Sequence, residues 1–247
     1  MQIKGLLPET YGDWPGKMAV EIFLYGCNFR CPYCHNPGLV NGSVKLDTIA
    51  EEKVFDFLRS EKEDGWKDGV IISGGEPTLH KELPELIKKI IGYGFPVKID
   101  TNGTNPSMLE QLINGKLIEA AAMDVKADFD SYEKATVRKV SVDDIKKSIM
   151  LIYSSDLDYE FRTTCVPGIV DRGSVEKICS YFESITRERK PKKYVLQQFV
   201  GKRENDDNFK LLDPSFADVK PYSRQEMREL EAIAKPFFEE VELRLYD

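Results

Sequence analysis

The sequence lacks the features that mark membrane, secreted and nucleic-acid-binding proteins. None of its apolar runs approaches membrane-spanning length, and its first residues, Met1 to Gly5, do not resemble a signal peptide. Lysines and arginines form no dense block, and the 247 residues carry a formal net charge of −7. We therefore expect a cytoplasmic protein that binds neither membranes nor bulk nucleic acid.

Histidine and cysteine are scarce, yet three cysteines lie together. The chain has 2 histidines and 5 cysteines, and the odd cysteine count without a secretory signal argues against a disulfide framework. Cys27, Cys31 and Cys34 have the spacing C-x3-C-x2-C directly after an apolar run that reads as a strand. Three thiolates on one loop can hold a metal ion or cluster and leave one coordination position free for a substrate.

A structural zinc site is the alternative interpretation of this loop. Cys27, Cys31, Cys34 and His35 would then form a Cys3His set. Cys34 and His35 are adjacent, which makes joint ligation of one tetrahedral ion awkward, and no second cysteine pair has zinc-ribbon spacing. A zinc-stabilised interaction protein is the non-enzymatic hypothesis that follows.

Strand-like and helix-like stretches alternate along the whole chain, whose length suits a single domain over residues 1–247. Six strand–helix units predict an α/β fold with a parallel sheet, and six are too few to close an eight-stranded barrel. We expect an open partial (β/α)6 barrel with its site at the carboxyl ends of the strands. The predicted strands are Val20–Tyr25, Gly69–Ser73, Val97–Thr101, Ile118–Val125, Tyr159–Val166 and Tyr194–Val200.

Local signals predict where several helices begin. Thr48-x-x-Glu51 and Ser223-x-x-Glu226 are typical of capping boxes, and Asn105-Pro106 offers an N-cap followed by a proline at the first helical position. The second box opens a closing helix over 223–238. Before it, 201–222 is the longest irregular and highly charged stretch, which we read as a surface loop or a contact for a partner protein.

Polar residues follow the predicted strands at the expected functional edge. Ser73-Gly74-Gly75-Glu76-Pro77 ends the second strand, and its paired glycines allow a ligand to approach the backbone closely. By alternation, Asp100 and Asn102 share one face of the third strand with Lys98. These residues also fit a structural reading, because Asp and Asn before Gly often cap turns.

The next two strands also end in charged residues. Asp124 and Lys126 share one face after the fourth strand, and Glu160 and Arg162 share one face of the fifth. Charges that face a barrel interior are costly unless they are paired or used, so structural salt bridges and ligand contacts both remain open.

The cysteine loop, Gly26-Cys27-Asn28-Phe29-Arg30-Cys31-Pro32-Tyr33-Cys34-His35-Asn36-Pro37, resembles that of radical S-adenosylmethionine (SAM) enzymes, with Tyr33 in the aromatic place of C-x3-C-x-aromatic-C. In that family three cysteines bind three irons of one [4Fe–4S] cluster, and the fourth iron binds SAM. The reduced cluster cleaves a carbon–sulfur bond of SAM and a 5′-deoxyadenosyl radical forms. The resemblance implies the same partial barrel.

The strand-end motifs resemble the SAM-binding elements of this family in the family's order. The resemblance implies that Cys27, Cys31 and Cys34 are the metal ligands and that no catalytic residue is needed beyond the cluster and SAM. Asp100, Thr101, Met123 and Asp124 also match a monovalent-cation site of some relatives. The implied SAM contacts are Tyr33, Gly74, Gly75, Glu76, Asp100, Asn102, Asp124, Lys126 and Arg162.

Two further features indicate a subgroup. Asp13-Trp14-Pro15-Gly16-Lys17 resembles the D-Y-P-G-K element of anaerobic ribonucleotide reductase activating proteins. Pyruvate formate-lyase activases have a histidine near the sixth strand, where this chain has Gln197 and Gln198. The resemblance implies an activase that makes a glycyl radical on a partner enzyme under low oxygen, with a reductant such as flavodoxin or ferredoxin. Pyruvate formate-lyase as the partner, or radical chemistry on a small molecule, RNA or another peptide, are the alternatives.

Overall fold

The computed structural model describes residues 1–42, 45–186, 189–203, 206 and 209–246. These residues include one eight-stranded sheet in which the strands lie side by side in chain order. The strands are β1 (Ile3–Thr10), β2 (Ala19–Leu24), β3 (Gly69–Gly74), β4 (Val97–Thr101), β5 (Ala120–Asp124), β6 (Asp158–Cys165), β7 (Lys193–Gln198) and β8 (Glu240–Arg244).

The sheet is parallel from β2 to β8, and only β1 runs antiparallel, against β2. Strands β2 to β7 confirm the six predicted strands, with ends that differ by up to two residues. Strands β1 and β8 were not predicted, and they form the two edges of the sheet. Side chains from β2, β4 and β6 line a common interior, so the sheet curves into the expected open partial barrel.

Helices cover the outer face of the sheet. Val20, Ile22 and Leu24 of β2 are fully buried in the main apolar core together with Leu58 and Leu86 of neighbouring helices. No described helix is both long and apolar enough to cross a bilayer. The helices are α1 (Pro37–Asn41), α2 (Glu51–Asp64), α3 (Leu83–Gly92), α4 (Pro106–Asn114), α5 (Tyr132–Thr136), α6 (Val142–Tyr153), α7 (Arg172–Ile185) and α8 (Arg224–Ala234).

The structure confirms two of the three predicted helix starts. Asn105 accepts a hydrogen bond from the backbone of Met108, and Ser223 forms a complete capping box with Glu226. The prediction for Thr48 was wrong, because α2 begins after Ala50 without any side-chain cap. The Thr48 hydroxyl instead accepts a hydrogen bond from Lys4 Nζ, because β1 runs beside this segment.

The last helix is shorter than the predicted helix over 223–238. Helix α8 ends at Ala234 and a 3-10 turn over Lys235–Phe237 follows, where Pro236 cannot continue the α-helical bonding. The charged stretch 201–222 contains a 3-10 turn, Pro214–Asp218, while positions 204, 205, 207 and 208 of that stretch lie outside the described residues.

Trp14 closes the amino-terminal end of the barrel. Its side chain is only 2% exposed and packs with Ala19, Ile71 and Ala120, which point into the interior. A Cβ on Gly69 would lie 2.7 Å from the indole ring, so the glycine makes room for the tryptophan. Trp14 therefore fills the interior at the amino-terminal end of the strands.

Candidate active site

A cavity of about 360 Å³ lies at the carboxyl ends of the strands. It is where the sequence places the functional site, and every residue proposed there as a metal ligand or SAM contact lies on its wall. They are Cys27, Cys31, Tyr33, Cys34, Gly74, Gly75, Glu76, Asp100, Asn102, Asp124, Lys126 and Arg162.

The cysteine loop is held by backbone hydrogen bonds on both sides. Gly26, with φ of +101°, turns the chain out of β2, and its N–H donates to the carbonyl of Leu39 at 2.7 Å. The Arg30 guanidinium donates to the carbonyls of Cys27 and Phe29 at 2.6 and 2.7 Å. These contacts hold the loop on the rim of the cavity.

The three thiols lie in a strongly desolvated environment. Burial raises the pKa of Cys27 to about 12 and that of Cys31 to about 11, and it also raises the pKa of Cys34. Backbone N–H groups of Phe29 and Asn36 donate to Cys27 Sγ and Cys34 Sγ, each at 3.4 Å. The thiols are therefore protonated at neutral pH until a bound cation displaces their protons.

His35 does not join the cysteines. Its Nε2 lies 3.1 Å from the carbonyl oxygen of Val200, and its ring packs on Phe209 with centroids 4.9 Å apart. Among the described residues, no group of three or more His, Cys, Asp or Glu side chains lies close enough together to hold a single metal ion. The position of the His35 ring does not support the Cys3His alternative.

The paired glycines bring the loop after β3 against the cysteine loop. Gly74 has φ of +123°, and a Cβ on Gly75 would lie 2.0 Å from the carbonyl oxygen of Gly26. The N–H of Glu76 donates to that same carbonyl at 2.7 Å. Only glycine fits this approach, which leaves exposed backbone on the cavity wall for a ligand.

Glu76 is fully buried and connects two strand ends. Its Oε1 accepts hydrogen bonds from the hydroxyls of Thr78 and Thr101 at 2.5 and 2.7 Å, and its Oε2 accepts one from the backbone of Asn102 at 2.6 Å. With both oxygens engaged by protein donors, the side chain shapes the loop around the predicted SAM site.

Lys126 and Asp124 form an ion pair on the rim at 2.7 Å. Burial acts to lower the pKa of Lys126, but Asp124, Cys31 and Tyr33 together outweigh burial and hold the pKa well above its ordinary value. Lys126 therefore stays charged beside the cysteines, where it can attract a ligand carboxylate.

A chain of buried ion pairs crosses the interior below the rim. Asp100 accepts from Lys98 Nζ at 2.5 Å and from Arg162 Nη1 at 2.6 Å, and Arg162 Nε also donates to Glu160. Glu160 in turn pairs with Arg244 of β8 at 3.0 Å. Burial favours a raised pKa for Asp100, but Arg162 and Lys98 outweigh it, so Asp100 remains ionised.

The residues of the proposed monovalent-cation site are only partly together. Asp100, Thr101 and Asp124 line the cavity, and the carboxylates of Asp100 and Asp124 are paired with lysine or arginine. The Met123 side chain is buried in the apolar core beside Gly103. The cation site stays a prediction.

Sequence reasoning missed Glu21 and Arg244. Glu21 of β2 lines the cavity and is 7% exposed. Burial, with Asp100 and Asp13 nearby, raises its pKa to about 7. Glu21 is a lone carboxylate between Val20 and Ile22 in an apolar run, and this pattern could have indicated a side chain that faces the interior. The partner of Arg244, Glu160, lies on a distant strand, so no local signal identifies that pair.

Comparisons with known proteins agree with this geometry. Residues 22–179 match the profile of the Radical SAM superfamily. The chain is 36% identical, over 98% of its own length and 95% of the relative's, to a Methanocaldococcus jannaschii protein provisionally named a glycyl-radical enzyme activating enzyme. The pyruvate formate-lyase-activating enzyme of Clostridium pasteurianum is 28% identical over 92% of the chain.

This chain belongs to the radical SAM superfamily. Solved structures show the same fold at low identity: Streptococcus suis SuiB bound to SAM has a TM-score of 0.63 at 15% identity over 92% of the chain. The chain spans 50% of the length of SuiB. The methyltransferase TsrM of Kitasatospora setae, with cobalamin and a [4Fe–4S] cluster bound, has a TM-score of 0.53 at 12% identity over 72% of the chain.

The residues present fit the cofactors of radical SAM enzymes. Three soft thiol donors and a glycine-lined wall face one cavity. Among the described residues, the buried side-chain atoms without a hydrogen-bond partner are Tyr33 Oη and Arg162 Nη2, and both residues line the cavity. A ligand with acceptor atoms would satisfy both, as buried polar groups require.

Proposed function

We propose that this protein is an activase that uses SAM and one [4Fe–4S] cluster to remove a hydrogen atom from a glycine of a partner enzyme, with anaerobic ribonucleotide reductase as the first candidate. The observation that carries the proposal is the convergence of the cysteine loop and four strand-end motifs on one cavity. The full-length similarity to the M. jannaschii protein supports the activase class.

Each group of residues that lines the cavity has a role in the proposed reaction. Cys27, Cys31 and Cys34 would hold the cluster, which would supply one electron for cleavage of the carbon–sulfur bond of SAM. Gly74 and Gly75 would offer backbone to the methionyl part of SAM, and Lys126 and the unpartnered Arg162 Nη2 would offer donors to its carboxylate. Trp14 closes the barrel base and so limits water access from below.

The partner enzyme, the reductant and the cellular compartment belong to the same proposal. The D-W-P-G-K segment and the glutamines at 197 and 198 favour ribonucleotide reductase over pyruvate formate-lyase. A reductant such as flavodoxin or ferredoxin supplies the electron, and a reducing, oxygen-poor cytoplasm suits a cluster with an open coordination position. Neither a membrane nor bulk nucleic acid is expected as a partner.

The test is deuterium transfer from a labelled partner. Anaerobic ribonucleotide reductase carrying deuterated glycine is mixed anaerobically with the reconstituted, reduced protein and SAM. We expect deuterium in 5′-deoxyadenosine and a glycyl radical signal in the partner's electron paramagnetic resonance (EPR) spectrum. SAM cleavage without deuterium transfer would contradict the activase assignment and favour another substrate class.

Pyruvate formate-lyase is the second candidate partner. The C. pasteurianum activating enzyme matches this chain over 92% of its length, which is the specific observation in its favour. The same labelled-glycine experiment with pyruvate formate-lyase discriminates the two, since deuterium transfer from only one partner identifies the substrate.

A further inference from the structure

Three side chains form a closed hydrogen-bond ring beside the first cysteine. Asn102 Nδ2 donates to Asn28 Oδ1 at 2.9 Å, and Asn28 Nδ2 donates to Thr104 Oγ1 at 2.8 Å. The Thr104 hydroxyl closes the ring by donating to Asn102 Oδ1 at 2.7 Å. The ring joins the cysteine loop, through Asn28, to the end of β4.

The ring fixes which way the Asn102 amide faces. Its Oδ1 accepts a second hydrogen bond, from the backbone N–H of Thr104 at 3.0 Å, so the oxygen side is occupied. Its own backbone N–H donates to the buried carboxylate of Glu76 at 2.6 Å. Asn102 is 5% exposed, and reversing the amide would place two donors against N–H and O–H donors.

The donor side of the amide faces Cys27. Asn102 Nδ2 lies 3.9 Å from Cys27 Sγ, which already accepts from the backbone of Phe29 at 3.4 Å. A metal-bound cysteine is a thiolate, a stronger acceptor than the thiol. Asn28 accepts from one of the two amide protons, which leaves the other for the sulfur.

We propose that Asn102 is a positioning residue that donates a hydrogen bond to the Cys27 thiolate and raises the reduction potential of the bound cluster, rather than contacting SAM. The inference rests on the proposed function, because it requires the cluster. Donors to cluster sulfurs stabilise the reduced state, which carries one more negative charge. Only the part of this bond's energy that is gained on reduction moves the potential, and a gain of about 1.4 kcal/mol is tenfold in the equilibrium.

The experiment is an EPR-monitored redox titration of the reconstituted protein without SAM. At the midpoint potential of the wild type, we expect Asn102→Ala to hold roughly tenfold less reduced cluster relative to oxidised cluster, a shift of about 59 mV to lower potential. The affinity for SAM, measured by calorimetry on the oxidised cluster, should not change. Iron content confirms that both proteins are loaded.

Two further variants make the result specific. Asn105→Ala removes a neighbouring asparagine that caps α4 and donates to the carbonyl of Thr78, away from the cysteines, so the potential should equal that of the wild type. Thr104→Val breaks the ring while leaving Asn102 in place, and should lower the potential by less than Asn102→Ala. Thr104→Val also tests the inference if Asn102→Ala does not load a cluster.

Three outcomes would overturn the inference. An unchanged potential in both Asn102→Ala and Thr104→Val contradicts it, and so does an equal shift in Asn105→Ala. Weaker SAM binding by Asn102→Ala at an unchanged potential would restore Asn102 as a SAM contact. A wild-type protein that loads no four-iron cluster contradicts the proposed function itself.

Discussion

Glu21 is a buried carboxylate that has other carboxylates nearby. It lies on the cavity wall near Asp13 and Asp100, and burial with these neighbours raises its pKa from 4.5 to about 7. The folded protein therefore binds a proton at Glu21 more tightly than the unfolded chain does. The resulting contribution to stability is complete below pH 4.5 and is lost as the pH rises through about 7.

Replacing Glu21 with glutamine tests this linkage. Glu21→Gln keeps the shape of the protonated acid, so it should be more stable than the wild type at pH 8, by up to about 3 kcal/mol. The difference should shrink towards pH 5. Urea unfolding of both proteins at the two pH values measures it, and a gap that does not depend on pH would contradict the assigned pKa.

Gly75 lies where the site has no room for a side chain. A Cβ there would lie 2.0 Å from the carbonyl oxygen of Gly26 and 3.0 Å from the backbone nitrogen of Cys27. Backbone atoms rather than a flexible side chain would have to move. We expect Gly75→Ala to cost about 1–3 kcal/mol of stability and to weaken SAM binding to the reconstituted protein.

Gly92→Ala is the matched control for this substitution. Gly92 ends α3, and a Cβ there meets nothing within 4 Å. Alanine should leave stability unchanged or raise it slightly, with normal SAM affinity. Equal effects of the two alanines in thermal unfolding and calorimetry would show that the contact with the cysteine loop is unimportant.

Motifs and alternation brought the proposed site residues to one cavity, but they did not predict the bonding of those residues. The spacing of the cysteines and the period of two in β4 and β6 predict side chains that the structure places on one wall. The hydrogen bonds that Glu76 accepts from Thr101 and Asn102 could not be predicted, because they depend on how closely two loops approach in space.

At the scale of elements, the two predicted capping boxes had different outcomes. Ser223 and Glu226 form a reciprocal capping box at the start of α8. Thr48, with Glu51 at the same spacing, caps nothing, because α2 begins after Ala50. We expect Ser223→Ala to destabilise the protein by about 1 kcal/mol in urea unfolding and Thr48→Ala to have a clearly smaller effect.

The two missed strands have different explanations. Strand β1 contains Gly5 and Pro8, which are typical of turns and of edge strands, and its pairing with β2 is irregular in register. Strand β8 alternates Val241 and Leu243 with charged residues, but it is five residues long. Its charged residues pair with Glu160 of β6 and Lys193 of β7, and local sequence cannot reveal these pairs.

At the scale of the molecule, the interior ion pairs connect strands that lie far apart in the chain. Arg162 pairs with Asp100 of β4 and with Glu160 of its own strand. Glu160 also pairs with Arg244 of β8. Arg162→Met should cost about 3–5 kcal/mol, because it leaves two buried carboxylates short of a partner. Urea unfolding of the protein without cofactors measures this loss.

Lys193→Met is the control at the exposed end of the same network. Its partners Glu240 and Glu242 have side chains 61% and 32% exposed, so water replaces the lost pair and the cost should stay near or below about 1 kcal/mol. Equal losses for the two variants would mean that the buried pairs contribute no more than the exposed ones.

Reductive cleavage of SAM tests the central claim most directly. The cluster is reconstituted anaerobically in the wild type and in Cys31→Ala, both are reduced and given SAM, and 5′-deoxyadenosine is quantified. The account predicts product from the wild type that depends on reductant, and none from Cys31→Ala. A Cys31→Ala protein with a normal cluster and full activity, or a loaded and reduced wild type that neither binds nor cleaves SAM, would contradict it.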